Sequence, residues 1–253
     1  MSVLQKIIEE RKKTIPKPSD FNTSDLVATD CDVLMRLKRK DDKPSLIAEL
    51  KRSSPTLGQI NANMTVSKAV NLYSPYASAL SILTEPNFFG GSTDDLAEAR
   101  TLTELPLLRK DFITDPLQIK EARHFGADFY LLIVAALSKH QLAELLEVGL
   151  EYNMPALVEV HDEKEMEDAL ESNAQIIGIN NRNLSDLSID MKTTERILDQ
   201  FSNDIDEQLI ISESGFKAKE DLLSLPEKVE AVLIGSTFMK SEQPETLLAD
   251  MFG

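Results

Sequence analysis

The sequence is poor in the features that mark secreted, zinc-binding and membrane-spanning proteins. It has one cysteine and three histidines in 253 residues. Cys31 alone cannot form an internal disulfide, and no CxxC or Cys/His spacing predicts a zinc site. The N-terminal segment is charged throughout and lacks the apolar stretch of a signal peptide, and no later apolar run approaches the ~18 residues that cross a bilayer. Secretion and membrane insertion are therefore disfavoured, and we expect a protein of the reducing cytoplasm.

Basic residues are also scarce. The chain has 27 Lys and Arg against 43 Asp and Glu, which gives a net charge of -16 at pH 7. Such a surface repels nucleic acid and anionic membranes, so neither is an expected partner. Basic side chains inside a cleft still bind a small anion, because field focusing and hydrogen bonding operate there regardless of net charge. We therefore expect a small-molecule ligand.

Eight short apolar runs alternate with helical stretches along the chain. Near-continuous apolar runs are typical of parallel strands covered on both faces, and this alternation over 253 residues, 42% of them hydrophobic, predicts an α/β fold, a (βα)8 TIM barrel. The predicted strands span residues 46–50, 79–83, 105–108, 129–134, 156–160, 176–179, 209–211 and 231–234. Predicted helices include 94–102, 116–125, 139–152, 163–172 and 193–201, with helix starts marked by Asp115 and Pro116, Ser138 and Asp162.

Residues 1–44 precede the first strand. We predict that they form a helical N-terminal extension to a single domain, 1–253. Four apolar residues share one helical face: Val3, Leu4, Ile7 and Ile8. Pro16 and Pro18 end this helix, and a second helix is predicted at 26–37. Two interpretations stay open for the extension. It covers the bottom or side of the barrel, or part of it frames the ligand.

Charged and polar residues cluster at the C-terminal ends of the predicted strands: Glu49, Lys51, Arg109, Lys110, Glu159, Asn180 and Glu213. In TIM barrels this rim carries the active site. Glu49 and Lys51 are two positions apart and so share one strand face, where they form either a buried ion pair or part of a site. Convergence of Lys110, Glu159 and Glu213 on the same pocket would shift their pKa values, which favours the site.

Small residues follow the last two strands, in SESG (212–215) and IGS (234–236). Such turns let backbone amides approach phosphate oxygens, and TIM barrels often bind phosphate after strands seven and eight. Either turn alone is more typical of a tight turn than of a ligand site. Together they predict a phosphate site at Ser214, Gly215, Gly235 and Ser236.

Seven segments resemble, in order, the motifs of the indole-3-glycerol phosphate synthase family: AELKRSSP, LTEPNFFGGS, LLRKDFITDPLQIKEARHFGADFYLLI, LVEVH, IIGINNRNL, ISESG and VLIGSTFM. The resemblance covers nearly the whole chain, and the N-terminal extension is similar to that family too. It implies the closure of an indole ring in tryptophan biosynthesis. In that reaction 1-(2-carboxyphenylamino)-1-deoxyribulose 5-phosphate loses carbon dioxide and water, without a metal or organic cofactor.

The resemblance also implies roles for the rim residues. Lys110 is the candidate general acid and Glu159 the candidate general base. Lys51 would hold the substrate carboxylate or phosphate and take a second acid role. Glu49 would position Lys51, while Asn180 and Glu213 would orient the ribulose hydroxyls and the cationic transition state.

Further residues are implied to contact the substrate. Ser54 and Pro55 resemble the family's Ser-Pro-Ser loop, from which this chain departs at Thr56 and Leu57; Phe216 is a further departure, assigned to packing. Arg182 would meet the anthranilate carboxylate or form a structural salt bridge. The apolar walls are implied to be Phe89, Phe112, Leu131 and Leu184. The histidines are expected to be incidental, with His161 a loop residue rather than a partner of Glu159.

Two other functions remain as alternatives. A phosphosugar-binding barrel without catalysis is expected to have lost Lys110 or Glu159, and both are present. An isomerase acting on phosphoribosylanthranilate would need a cysteine and aspartate pair, but Cys31 lies before the first strand. We expect a monomer, and association with other enzymes of the tryptophan pathway stays open.

Overall fold

Eight parallel strands form a closed barrel in the computed structural model, which describes residues 2–22, 26–40, 43–184 and 186–253. Each strand pairs with its neighbours in chain order, and β1 closes the barrel against β8 through pairs such as Ser45 with Ala231. The strands are β1 (Ser45–Leu50), β2 (Ala79–Leu83), β3 (Leu107–Lys110), β4 (Phe129–Ile133), β5 (Ala156–Val160), β6 (Ile176–Asn180), β7 (Leu209–Glu213) and β8 (Val229–Ile234). The predicted (βα)8 TIM barrel is confirmed.

Helices surround the barrel and also precede it. They are α1 (Val3–Lys12), α2 (Val33–Leu37), α3 (Val66–Tyr73), α4 (Pro86–Phe89), α5 (Thr93–Leu102), α6 (Pro116–His124), α7 (Lys139–Leu150), α8 (Glu163–Glu171), α9 (Lys192–Gln200), α10 (Lys219–Leu223), α11 (Ser236–Lys240) and α12 (Pro244–Phe252). Asp115, Ser138 and Asp162 accept hydrogen bonds from the first-turn amides of α6, α7 and α8. These three predicted helix starts are confirmed. Within the described ranges no helix has both the length and the apolar character needed to cross a membrane.

Two strands extend further toward their C-terminal ends than predicted. The third strand was predicted at 105–108 but runs to Lys110, and the seventh was predicted to stop at 211 but runs to Glu213. Backbone pairing continues through charged residues, as in Leu83 with Lys110 and Asn180 with Glu213, because ladder hydrogen bonds do not depend on side-chain polarity. The charges therefore lie in the strands, which fixes the direction in which they point.

The second helix of the N-terminal extension is shorter than predicted. Helix α2 covers only Val33–Leu37, where Asp32 caps its first turn, and positions 23–25 lie outside the described residues. The preceding chain is tied to the barrel surface instead. The Thr29 amide donates to the carbonyl of Tyr152, and the Thr29 hydroxyl donates to Asp128 at 2.6 Å. These contacts replace the intrahelical hydrogen bonds that a helix over 26–37 would need.

The two N-terminal helices lie at opposite ends of the barrel. Val33 and Leu37 of α2 are buried and join the apolar cluster that fills the barrel interior, beside Ile47 and Leu108. Leu4 of α1 belongs to the same cluster but, together with Ile7, lines a cavity at the C-terminal rim. The extension thus contacts both ends of the barrel, with α2 at the N-terminal end of the strands and α1 at the cavity.

Alternating side chains separate an inner from an outer core. In β5, Val158 and Val160 pack outward against helices, whereas Leu157 belongs to the interior cluster. The interior cluster forms an apolar floor made of Ile47, Leu108, Phe129, Leu131, Leu157, Ile176, Leu209 and Ile211. The next inward positions toward the rim carry the charged residues.

Candidate active site

A cavity of about 790 Å³ opens at the C-terminal rim of the barrel. Its volume suits a small organic ligand. Every residue predicted for the site lines it: Glu49, Lys51, Ser54, Pro55, Phe89, Lys110, Phe112, Leu131, Glu159, Asn180, Arg182, Leu184, Glu213, Ser214, Gly215, Gly235 and Ser236. The structure therefore brings the predicted residues together in one place.

Lys110 lies between two carboxylates in the lining of the cavity. Its Nζ is 2.6 Å from Oε2 of Glu213 and 3.0 Å from Oε2 of Glu159. Glu159 and Glu213 are 4% and 2% exposed, and the Lys110 side chain is 12% exposed. Three buried charges from β3, β5 and β7 thus form one continuous ion-pair network.

This network shifts the pKa values of its members in different directions. Burial alone would lower the pKa of Lys110, but the carboxylates of Glu213 and Glu159 outweigh it and raise that pKa. Burial opposes ionisation of Glu159 as well, yet Lys110 and His161 hold its pKa below the usual range. Burial dominates at Glu213, whose pKa rises to about 7 despite Lys110. The ammonium therefore stays charged, and Glu213 is the carboxyl that takes up a proton most readily.

Glu49 and Lys51 form a second ion pair in the same cavity, with 2.5 Å between Oε1 and Nζ. The ion pair that the sequence offered as the alternative to a role in the site is therefore present. Lys51 is nevertheless 19% exposed at its side chain and faces the cavity, so it is accessible to a ligand.

Two glycines make room for these carboxylates. A Cβ atom at Gly178 would lie 2.3 Å from Oε1 of Glu213, and one at Gly235 would lie 2.6 Å from Oε1 of Glu49. Both distances are far below van der Waals contact. The absence of side chains at these two positions allows the two carboxylates to lie inside the barrel.

Arg109 does not belong to the site, although it stands beside Lys110 in the sequence. Neighbouring residues of a strand point to opposite faces, and Arg109 points outward, fully buried behind β3. Its guanidinium donates to Thr84, to the carbonyl of Gln118 and to Glu121. Its role is to bind α6 to the barrel.

A buried ion pair that sequence reasoning missed joins α1 to the rim. Arg11 makes two hydrogen bonds to Asp111, Nε to Oδ1 at 2.9 Å and Nη2 to Oδ2 at 2.8 Å. Asp111 also accepts from Thr84 at 2.6 Å and lies directly after Lys110. The pair fixes the first helix against the loop that follows β3.

The two predicted phosphate turns lie side by side at the ends of β7 and β8. Ser214 and Gly215 have positive φ angles of 69° and 103°, and α11 begins at Ser236. Asn181 holds the first turn by donating from Nδ2 to the carbonyl of Ser214 at 3.1 Å, while Thr194 donates to its Oδ1. Asn181 lies in the GINNR segment, yet only its neighbours Asn180 and Arg182 were predicted.

The apolar wall consists of Phe89 and Phe112, with ring centroids 5.8 Å apart, together with Leu131 and Leu184. Residues 53–54 and 58–59 pair as a short hairpin after β1, which carries Ser54 and Pro55 and contacts the Phe89 segment through a hydrogen bond from the Ser53 hydroxyl to the carbonyl of Phe88. Arg182 donates from Nη1 to the carbonyl of Leu187 at 3.0 Å, and burial lowers its pKa. Within the described ranges no group of three or more His, Cys, Asp or Glu side chains is arranged to hold a metal ion.

The expectation that His161 does not contact Glu159 was wrong. His161 does lie in the loop after β5, as predicted, but its Nε2 is 3.1 Å from Oε1 of Glu159 and its Nδ1 is 2.9 Å from Oε2 of Glu165. Burial opposes the charged form of the imidazole, and the attraction of the two carboxylates outweighs this effect and raises its pKa to about 10. The chain turns after Val160 in a way that keeps position 161 beside position 159.

Comparison with known proteins identifies close relatives. A family model described as indole-3-glycerol phosphate synthase matches residues 2–251. The chain is 41% identical over 250 residues to the indole-3-glycerol phosphate synthase of Campylobacter jejuni, covering 95% of this chain and 96% of the relative. It is 40% identical over 258 residues to that of Bacillus thuringiensis, covering 98% and 97%. Among solved structures, a mutant tryptophan synthase alpha-subunit of Pyrococcus furiosus matches with a TM-score of 0.64 at 15% identity, covering 84% and 98%, which is a likeness of fold alone.

Proposed function

The chain belongs to the indole-3-glycerol phosphate synthase family, and we propose that Lys110, Glu159 and Lys51 carry out the proton transfers of its reaction. The reaction converts 1-(2-carboxyphenylamino)-1-deoxyribulose 5-phosphate to indole-3-glycerol phosphate with loss of carbon dioxide and water. It makes the chain a carbon–carbon lyase of tryptophan biosynthesis. The observation that supports the assignment of roles is the position of Lys110 between two buried carboxylates.

Lys110 is the general acid in this proposal. Its raised pKa keeps it protonated before substrate binds. It protonates the ketone oxygen of the substrate while the ring carbon that bears the carboxylate attacks the carbonyl carbon. Carbon dioxide then leaves from that ring carbon, which restores aromaticity.

Proton donation by Lys110 changes the basicity of its partners. Once Lys110 is neutral, its charge no longer holds down the pKa of Glu159 or Glu213. Glu159 then becomes a stronger base and takes the proton released as the hydroxyl group leaves, with Lys51 protonating that leaving group. The acid step thus increases the basicity that the base step needs, and Glu49 holds Lys51 in position through their ion pair.

The remaining residues bind and orient the substrate in this proposal. The turns at Ser214–Gly215 and Gly235–Ser236 bind the phosphate, and Arg182 meets the anthranilate carboxylate. Phe89, Phe112, Leu131 and Leu184 surround the aromatic ring, while Asn180 orients the ribulose hydroxyls. All of these residues line the same cavity.

The direct test is turnover of the carboxyphenylamino deoxyribulose phosphate by purified protein without added metal, followed by indole fluorescence. We expect turnover by the natural chain and by Lys139→Ala, whose lysine is exposed on α7. Lys110→Ala should lose most of kcat while still binding product. Binding of the substrate without turnover in the natural chain would instead indicate a phosphate-binding barrel with other chemistry.

We also propose that residues 1–253 form one domain, that it is monomeric and that it works in the cytoplasm. The contacts of α2 with the barrel interior and of α1 with the rim support a single folded unit. Light scattering after gel filtration should give the mass of one 28.2 kDa chain. A mass of two chains would refute the monomer.

A further inference from the structure

His161 is enclosed between two carboxylates behind the proton-transfer residues. Its side chain is 8% exposed, and each ring nitrogen faces an acidic oxygen, Nε2 that of Glu159 and Nδ1 that of Glu165. Oε2 of Glu165 also accepts the backbone amide of His161 at 2.9 Å. The imidazole is therefore held by its own loop and by the first turn of α8.

This arrangement favours the imidazolium form. A neutral imidazole has one N–H and one lone pair, so one nitrogen would direct its lone pair at a carboxylate. The imidazolium presents N–H groups to both. Nε2 makes no aligned hydrogen bond to Glu159, so at 3.1 Å the interaction is an ion pair that depends on charge.

His161 acts on Glu159 and not on the ligand. Glu159 lines the cavity, whereas His161 is not among the described residues that line it. The two oxygens of Glu159 have different partners, with Oε1 beside His161 and Oε2 beside Lys110. Charge on His161 therefore fixes one oxygen and leaves the other directed at the reacting centre.

We propose that His161 is a positioning residue whose imidazolium holds Glu159 in its ionised form with Oε2 directed toward Lys110 and the substrate. The inference rests on the proposed role of Glu159 in proton transfer. The other charged groups that face this unit are Lys110 from β3, Glu213 from β7 and Glu165 from α8.

The kinetic test compares His161→Gln and His161→Leu with His140→Gln, a substitution of an exposed histidine on α7. Glutamine retains an N–H donor without charge, and leucine retains neither. We expect kcat to fall about 10- to 100-fold in His161→Leu and less in His161→Gln, with KM within about twofold, because a misplaced catalytic group reduces turnover and not binding. The acid limb of kcat/KM should move to higher pH in both variants, since loss of the cation raises the pKa of Glu159. A merely structural role would not move that limb.

A second measurement does not depend on activity or on variants that fail to fold. In the full-length natural chain, ring 15N NMR across pH 5 to 10 reports the charge of each imidazole, with His140→Gln and His161→Gln spectra used for assignment. We expect His161 to stay charged well above the ordinary histidine pKa of about 6.5. Titration near 6.5, or kinetics of the His161 variants that match His140→Gln, would overturn the inference. Failure of the natural chain to turn over substrate would refute the proposed function itself, whatever the NMR result.

Discussion

The Nζ atom of Lys110 lies 2.6 Å from Oε2 of Glu213, although the two residues belong to strands on opposite sides of the barrel. A shared pocket for acid and carboxylate means that each sets the proton affinity of the other. Substitution of either residue should therefore change the pH dependence of the reaction as well as its rate.

Glu213→Gln should shift the alkaline limb of kcat to lower pH, by about one unit or more, because Lys110 loses the carboxylate that raises its pKa most. Glu159→Gln should instead lower kcat at all pH values, because it removes the base. Full pH–rate profiles of both variants, with Glu171→Gln on the exposed face of α8 as control, distinguish these effects. Loss of activity at every pH in Glu213→Gln, with Glu159→Gln active, would make Glu213 the base.

Arg11→Ala should destabilise the protein by about 3 kcal/mol, because it leaves the buried carboxylate of Asp111 with one charged partner fewer. Lys13→Ala is the matched control, since its ion pair with Glu10 is exposed and such pairs contribute about 1 kcal/mol or less. Urea unfolding of both variants measures the difference. Equal stability of the two variants would show that α1 is held by its apolar face alone.

Gly178→Ala should lower both stability and kcat, because the new methyl group would collide with Oε1 of Glu213 and with Leu157. If Glu213 is the main obstacle, the same substitution should cost less stability in a Glu213→Ala background. A double-mutant cycle by urea unfolding measures this coupling. Additive effects of the two substitutions on the free energy of unfolding would show that Glu213 is not the group with which the new methyl group collides.

Ser236→Ala should raise KM about tenfold with kcat nearly unchanged, since a hydrogen bond to a charged phosphate contributes about 1.5–3 kcal/mol to binding in both ground and transition states. Weaker competition by inorganic phosphate should accompany the change. Ser67→Ala, on the exposed face of α3, serves as control. A fall in kcat at unchanged KM would argue against a phosphate contact.

Stability should depend on pH through His161. Its pKa is raised from 6.5 to about 10 in the folded chain, so its contribution is complete below about pH 6.5 and is lost as the pH rises through 10. The destabilisation caused by His161→Gln should accordingly be largest near pH 6 and smallest near pH 10. Urea unfolding of both proteins at pH 6, 8 and 10 checks this, and a pH-independent difference would contradict it.

The sequence predicted the barrel and the convergence of charged residues at its rim because both depend on local patterns. An apolar run indicates a strand without reference to distant parts of the chain. The C-terminal ends of all strands in a parallel barrel lie at one rim, so a charged residue just after such a run is located there. Lys110 and Glu213 were thus placed in the pocket even though their strands were predicted to end too early.

The contacts that escaped prediction depend on long-range geometry or on the course of a loop. Arg11 and Asp111 are 100 positions apart, and no spacing rule connects them. His161 was correctly placed in a loop, but its approach to Glu159 depends on how the chain turns after Val160. Asn181 supports Ser214 only because β6 and β7 are adjacent.

Closure of the barrel between β1 and β8 has a consequence for how the protein is made. During synthesis on the ribosome, β1 has only β2 as a partner until the last strand emerges, so the growing sheet keeps two open edges that are prone to aggregation. A nascent chain stopped just after Glu213 would already contain every residue proposed for proton transfer. It would still lack β8, the strand that closes the barrel between β7 and β1, so catalytic competence should be gained only in the final stage of translation.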